Sequence, residues 1–204
     1  MKTFTLLVSL FLLLSCGTSF SQVVPTTTIG YVEGPIREII YNPDRTATVL
    51  VQNVTVHVPA ALAIDSPTTT LTVRQLCMRN KLPGRIEPGF LGGTAVINGE
   101  VDLQTFRFTA TNVTVEPAEN VAIGVVTSLS PLQMQGTELA ILTDPRITTE
   151  VINVFGFPAR IENLRIGEPA AGEGYFSNGK LYCYAIELGE DAPLVEDINQ
   201  LNIQ

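Results

Sequence analysis

Carboxylates are the residues of this 204-residue chain best placed to do chemistry. Glu116 and Glu119 flank Pro117-Ala118, while Glu168, Glu173, Glu187 and Glu190 gather toward the C-terminus. Two carboxyls at a fixed separation supply the acid and the base or nucleophile of glycoside hydrolysis. Glu116 and Glu119 are therefore the candidate catalytic pair, set against the plainer reading of solvated surface acids. Calcium would also suit such oxygens, but no spaced acidic loop between two helices is present. His57 is the single histidine, so a Ser-His-Asp or Cys-His arrangement would have to use it. It sits in a strand pattern, without a Gly-x-Ser-x-Gly elbow elsewhere, and one histidine with two distant cysteines cannot complete a structural zinc site. Gly89-Phe90-Leu91-Gly92-Gly93 lacks the spacing and the lysine of a nucleotide loop. Neither a metal nor a cofactor is expected.

Cysteine placement bears on the compartment. Lys2, the apolar run Phe4–Leu14 and the small residues after it read as a secretory signal over residues 1–21. Ser19-Phe20-Ser21 fits cleavage before Gln22, whereas Leu13-Leu14-Ser15-Cys16 resembles a lipoprotein box that would leave a lipid on Cys16. Either exit places the mature chain outside the cytoplasm, in periplasm, at the cell surface or secreted. Any membrane link then runs through that lipid, because no later stretch is apolar for long enough to span. Cys77 and Cys183 remain; in an oxidising compartment they either form one disulfide or serve as two small core residues. The net charge of −8 argues against nucleic-acid phosphates and anionic lipid as partners.

The elements that must position these groups are strands. Thr46–Ile64 and Thr105–Ile123 share Asn-Val-Thr-Val, a following Pro-Ala and a later Ala-Ile, with apolar and polar residues alternating. Each reads as a hairpin, cornered at Gln52-Asn53 and at Thr111-Asn112, and Thr148–Ile166 is a weaker copy cornered at Gly156. Asn53 and Asn112 match the N-glycan acceptor pattern, but a turn accounts for them without sugar. Asn98-Gly99 and Asn178-Gly179 are two further hairpin turns, and Asn42-Pro43-Asp44-Arg45 is a third turn of a different type. Thr72 caps a short helix near 72–79. Phe106 and Phe108 share a core-facing side. Asn80–Gly93 is a loop packed onto the barrel, and Thr127–Gly136 is the boundary between two β-regions, 28–126 and 136–188. Residues 189–204 form an acidic tail.

Three strands, a helix and two strands is the order of an OB-like barrel. The fold class is therefore mainly β, with two small OB-like antiparallel barrels, or one barrel plus a smaller β-domain, and one short helix. The phrases VTVHVPA, PGFLGGTA and VEPAENVAIGVVT resemble extracytoplasmic bacterial proteins of unknown function built from tandem barrels of this kind. The resemblance implies fold and compartment and transfers no functional residue. The chain reads as an exported, non-catalytic envelope protein that binds an envelope protein or a glycan, or acts as an assembly module. The alternative is a carbohydrate-directed hydrolase using paired carboxylates.

Overall fold

The computed structural model describes residues 25–189. The signal segment with Cys16, and the tail from Glu190 onward, lie outside the described residues. The first half holds β1 (Thr27–Tyr41), β2 (Ala47–Val51), β3 (Val54–Val58), β4 (Ile64–Asp65), β5 (Thr70–Leu71), α1 (Val73–Leu76), β6 (Thr94–Asp102) and β7 (Phe108–Glu116). The second half holds β8 (Asn120–Leu129), β9 (Leu132–Met134), β10 (Thr137–Ile141), β11 (Thr143–Asp144), β12 (Ile147–Thr148) and β13 (Glu150–Asn153). A single 3-10 turn over Ile161–Asn163 precedes β14 (Pro169–Ser177) and β15 (Lys180–Leu188).

Each half closes into a five-stranded barrel. In the first, antiparallel neighbours run β3-β2-β1-β6-β7, and a parallel β3–β7 pairing shuts the cylinder. The second repeats that order with β10-β9-β8-β14-β15, shut by parallel β10–β15. Even the accessory strands correspond, since β4 extends parallel along β7 and β13 extends parallel along β15. The repeat is thus a whole barrel.

Alternation makes the first core. Ala47, Val49, Val51, Val56 and Val58 point inward from β2 and β3, against Ala95 and Ile97 of β6. On β7 the buried set is Phe108 and Ala110, then Val113 and Val115, so the alternation slips by one residue. The slip is a β-bulge opposite Asn98/Gly99 and not a corner; Thr111-Asn112 lies inside one continuous strand. Asn98-Gly99 likewise lies inside β6 and makes no turn. A Cβ on Gly99 would sit 2.1 Å from the Thr109 carbonyl oxygen, so the glycine is needed for close strand approach. The second barrel repeats this device: β15 buries Leu181 and Cys183, then Tyr184 and Ile186, across a bulge at Glu173/Gly174. Gln52-Asn53 and Asn178-Gly179 are true two-residue hairpin turns, with Gln52 at φ 53° and Asn178 at φ 51°. The third repeat is a smaller feature than expected, a tight turn from Asn153 to Phe157 with Gly156 at φ 77°.

The helix at α1 has the expected cap. Thr72 Oγ1 accepts from the Gln75 amide at 3.3 Å, and Gln75 Oε1 accepts from the Thr72 amide at 2.9 Å. The two sheets meet at Pro117-Ala118-Glu119. Thr127–Gly136, which reads as a linker, is instead built into β8 and β9, with Ser130-Pro131 at the turn of a hairpin within the second barrel.

The barrels are fused. One apolar cluster runs from the first barrel through Leu82 and Phe90 of the 80–93 loop to Leu142, Ile147, Tyr175 and Tyr184. Arg146, only 3% exposed, pins the junction: it clasps Asp144 through Nε at 2.9 Å and Nη2 at 2.8 Å, and its Nη1 donates to the Asn80 carbonyl at 2.9 Å. Tyr175, Ser177 and Asn178 donate to the Pro83 and Gly84 carbonyls. The end of the β14–β15 hairpin is therefore occupied by the first barrel.

Candidate functional site

The corresponding end of the first barrel is open. Asp102 closes the β6–β7 loop by accepting from the Gln104 and Thr105 amides, both at 2.8 Å, and these bonds hold its carboxyl below the usual range. The Asp102 amide in turn donates to the Arg107 carbonyl at 3.0 Å. Between these anchors Phe106 takes a left-handed backbone at φ 55°, an uncommon conformation for a bulky side chain. Its ring points into solvent, 80% exposed. Phe108, two residues on, is buried over Gly30 and Gly99. The shared core face expected of the two phenylalanines thus splits, because the strand begins only at Phe108. Val54 is also exposed, at the hairpin mouth, whereas Val56 is fully buried.

Phe106 stands at the rim of a shallow cavity of about 340 Å³ lined by Thr48, Thr55, His57, Arg107 and Phe108. Thr48 and His57 are direct cross-strand neighbours on β2 and β3. His57 is half-buried on this outer face. Burial, then the nearby Arg107 charge, lowers its pKa, and Asp44 offsets this in part. The imidazole is therefore neutral near pH 7, with one nitrogen donating and the other accepting. Asp44 is turned toward Thr46, its Oδ1 accepting from the hydroxyl at 2.6 Å and the amide at 3.1 Å. The cavity thus offers an exposed aromatic face, a guanidinium, a neutral imidazole and two hydroxyls. Sequence alternation placed His57 on a polar face but gave no sign of Phe106. The signal that could have found it is Asp102, whose side chain suits a turn at Leu103–Arg107.

The carboxylates take another place. Glu116 ends β7, Glu119 lies in the connection to β8, and Glu173 projects from β14. Burial raises the pKa of Glu116, and the charges of Glu119 and Glu173 raise it further. The Tyr184 hydroxyl donates to Glu173 Oε1 at 3.0 Å. So the chain does bring Glu116 and Glu119 together, and adds Glu173. Glu187 is exposed on β15 and Glu168 precedes β14, while Glu190 lies outside the described residues. A carboxyl raised by burial and by neighbouring acidic side chains is the electrostatic pattern of a general acid with its partner. However, Glu116 and Glu119 are not among the residues lining the nearby groove on β8, β14 and β15, which receives Glu173 and Glu187. Among the described residues, no group of three His, Cys, Asp or Glu side chains is arranged to hold a metal ion.

Cys77 and Cys183 are separate thiols, not a disulfide. Cys183 belongs to the core of the second barrel and Cys77 packs against that of the first. Burial pushes the Cys183 thiol up to about 12 and Cys77 up to about 11, which suppresses thiolate chemistry at both. Asn112 is exposed in mid-strand, so a corner does not explain it. No protein-family model, curated protein or solved structure is significantly similar to the chain.

Proposed function

We propose that the chain is an exported, non-catalytic binding protein of the bacterial envelope, built from two OB-like barrels, whose first barrel binds a glycan. One observation carries this reading: Phe106 is held outward in a left-handed backbone over the cavity that contains His57, Arg107, Thr48 and Thr55. An aromatic face stacks on the apolar side of a sugar ring, while hydroxyls, imidazole and guanidinium match its hydroxyls. Export rests on the signal pattern of residues 1–21, and attachment through Cys16 on the lipoprotein box.

A glycan array probed with the full chain tests the reading. Phe106→Ala is expected to weaken the best ligand about five- to tenfold, the loss of one aromatic contact, and Arg107→Ala to weaken it similarly. Unchanged binding in both variants contradicts it. A second reading, a carbohydrate hydrolase, is favoured by the raised Glu116 carboxyl alongside Glu119 and Glu173. Release of reducing ends from the array ligand, abolished by Glu116→Gln, would establish that reading in place of the first.

A further inference from the structure

The outer face of the second barrel carries a groove of about 490 Å³ that the binding reading does not use. Cross-strand pairing lays it out in rows. One row runs Ile123, Ala171, Glu187, Ile152 across β8, β14, β15 and β13. The adjacent row runs Val121, Glu173, Ala185, Glu150. Residues directly opposite in a ladder share a face, so both rows look outward together. Ile123 is 77% exposed, and Val121 and Val125 beside it are exposed too. An apolar floor of this kind on a sheet whose other face is already packed marks an interaction surface.

The charges on these rows are all of one sign: Glu150, Glu173 and Glu187, with no lysine or arginine. Glu116 and Glu119 extend the negative field from the Glu173 side; the Glu116 carboxyl is raised by burial first and then by the charges of Glu119 and Glu173. We propose that this groove docks a cationic, apolar segment of a partner protein. Such a segment covers Ile123 and Val121 and supplies the counter-charges that the face lacks. A second copy of the chain is a poor occupant, because a two-fold axis would set the three glutamates against their own equivalents. The chain's own tail is equally poor. It continues from Gly189 at the groove into Glu190 and Asp191, adds Glu196 and Asp197, and contains no basic residue.

Fluorescence anisotropy of labelled peptides on the full chain tests the proposal. An alternating lysine–valine peptide is expected to bind, and alternating glutamate–valine and lysine–serine peptides to bind at least about tenfold more weakly. Ile123→Lys and the double variant Glu150→Gln/Glu187→Gln alter exposed side chains and leave the melting temperature intact, and each is expected to lower lysine–valine affinity about tenfold. Phe106→Ala leaves it unchanged, which separates this site from the glycan cavity. Equal binding of the lysine–valine and lysine–serine peptides overturns the proposal, as does an unaffected Ile123→Lys variant. So does competition by a peptide of residues 190–204, or a dimer that Ile123→Lys dissolves.

Discussion

Phe106 and Phe108 show how much a two-residue offset decides. One ring fills the barrel over two glycines and the other is displayed to solvent by an Asx-closed loop. Neighbouring residues make sharp predictions at this scale. The Glu116 pKa lies above its ordinary value of 4.5, so ionisation opposes folding. Its favourable contribution is complete below that ordinary value and is lost as pH rises through the folded pKa. Glu116→Gln should therefore raise thermal stability near pH 7 and converge with the wild type in acid; a variant less stable at neutral pH contradicts this. Asp144 has the opposite sign. Hydrogen bonding and the charge of Arg146 hold it below its ordinary 3.8, so its contribution is present above that value and fades as pH falls through the lowered pKa. Asp144→Asn should thus remove part of the acid-dependent loss of stability, seen as a shallower pH dependence of the melting temperature. Both cysteines should resist thiol reagents in the native state, Cys183 more than Cys77, and reductant should leave the melting temperature unchanged.

At the scale of elements, the bulge is the shared device. Gly99→Ala and Gly174→Ala each aim a methyl group at a carbonyl oxygen, 2.1 Å from Thr109 in one case and 1.9 Å from Tyr182 in the other. Each should cost more than about 1 kcal/mol, a fall of several degrees in melting temperature for a chain of this size; calorimetry checks it, and a neutral outcome would remove the bulge account. These strands also show what the sequence could disclose. Valine alternation in β2 and β3, the Thr72 cap and the Asn178-Gly179 turn are local, and local chemistry decides them. The slip of phase at Thr111 was visible too, but a slipped alternation fits either a corner or a bulge. Only the pairing of β7 with β6 on both sides of Thr111, Asn112 opposite Asn98 and Ala110 opposite Gly99, requires a continuous strand there. Asn98-Gly99 and Asn178-Gly179 are the same dipeptide with opposite fates, because long-range pairing overrides turn preference at the first. The Glu116 cluster was half legible for a related reason: Glu119 is near in sequence, whereas Glu173 arrives through the second barrel.

For the whole molecule, the junction decides behaviour. The core runs unbroken from the first barrel into Leu142, Ile147, Tyr175 and Tyr184, and Arg146 satisfies carbonyls of the 80–93 loop. The two barrels should consequently unfold in one calorimetric transition. Arg146→Met leaves Asp144 and several carbonyls without their partner, an expected loss of about 3–5 kcal/mol, and should split that transition or lower it sharply; an unchanged trace contradicts the fused junction. Fusion also explains the division of labour between equivalent barrel ends. The β14–β15 hairpin end is spent on the Pro83 and Gly84 carbonyls, which leaves the β6–β7 end free for a ligand. The most direct test of that claim is a backbone NMR titration of the full chain with soluble cell-wall glycan fragments. Shifts confined to Thr48, Thr55, His57 and the Phe106–Arg107 loop, and absent in Phe106→Ala, are the predicted result; shifts centred on Glu116 and Glu173, or none at all, would contradict it.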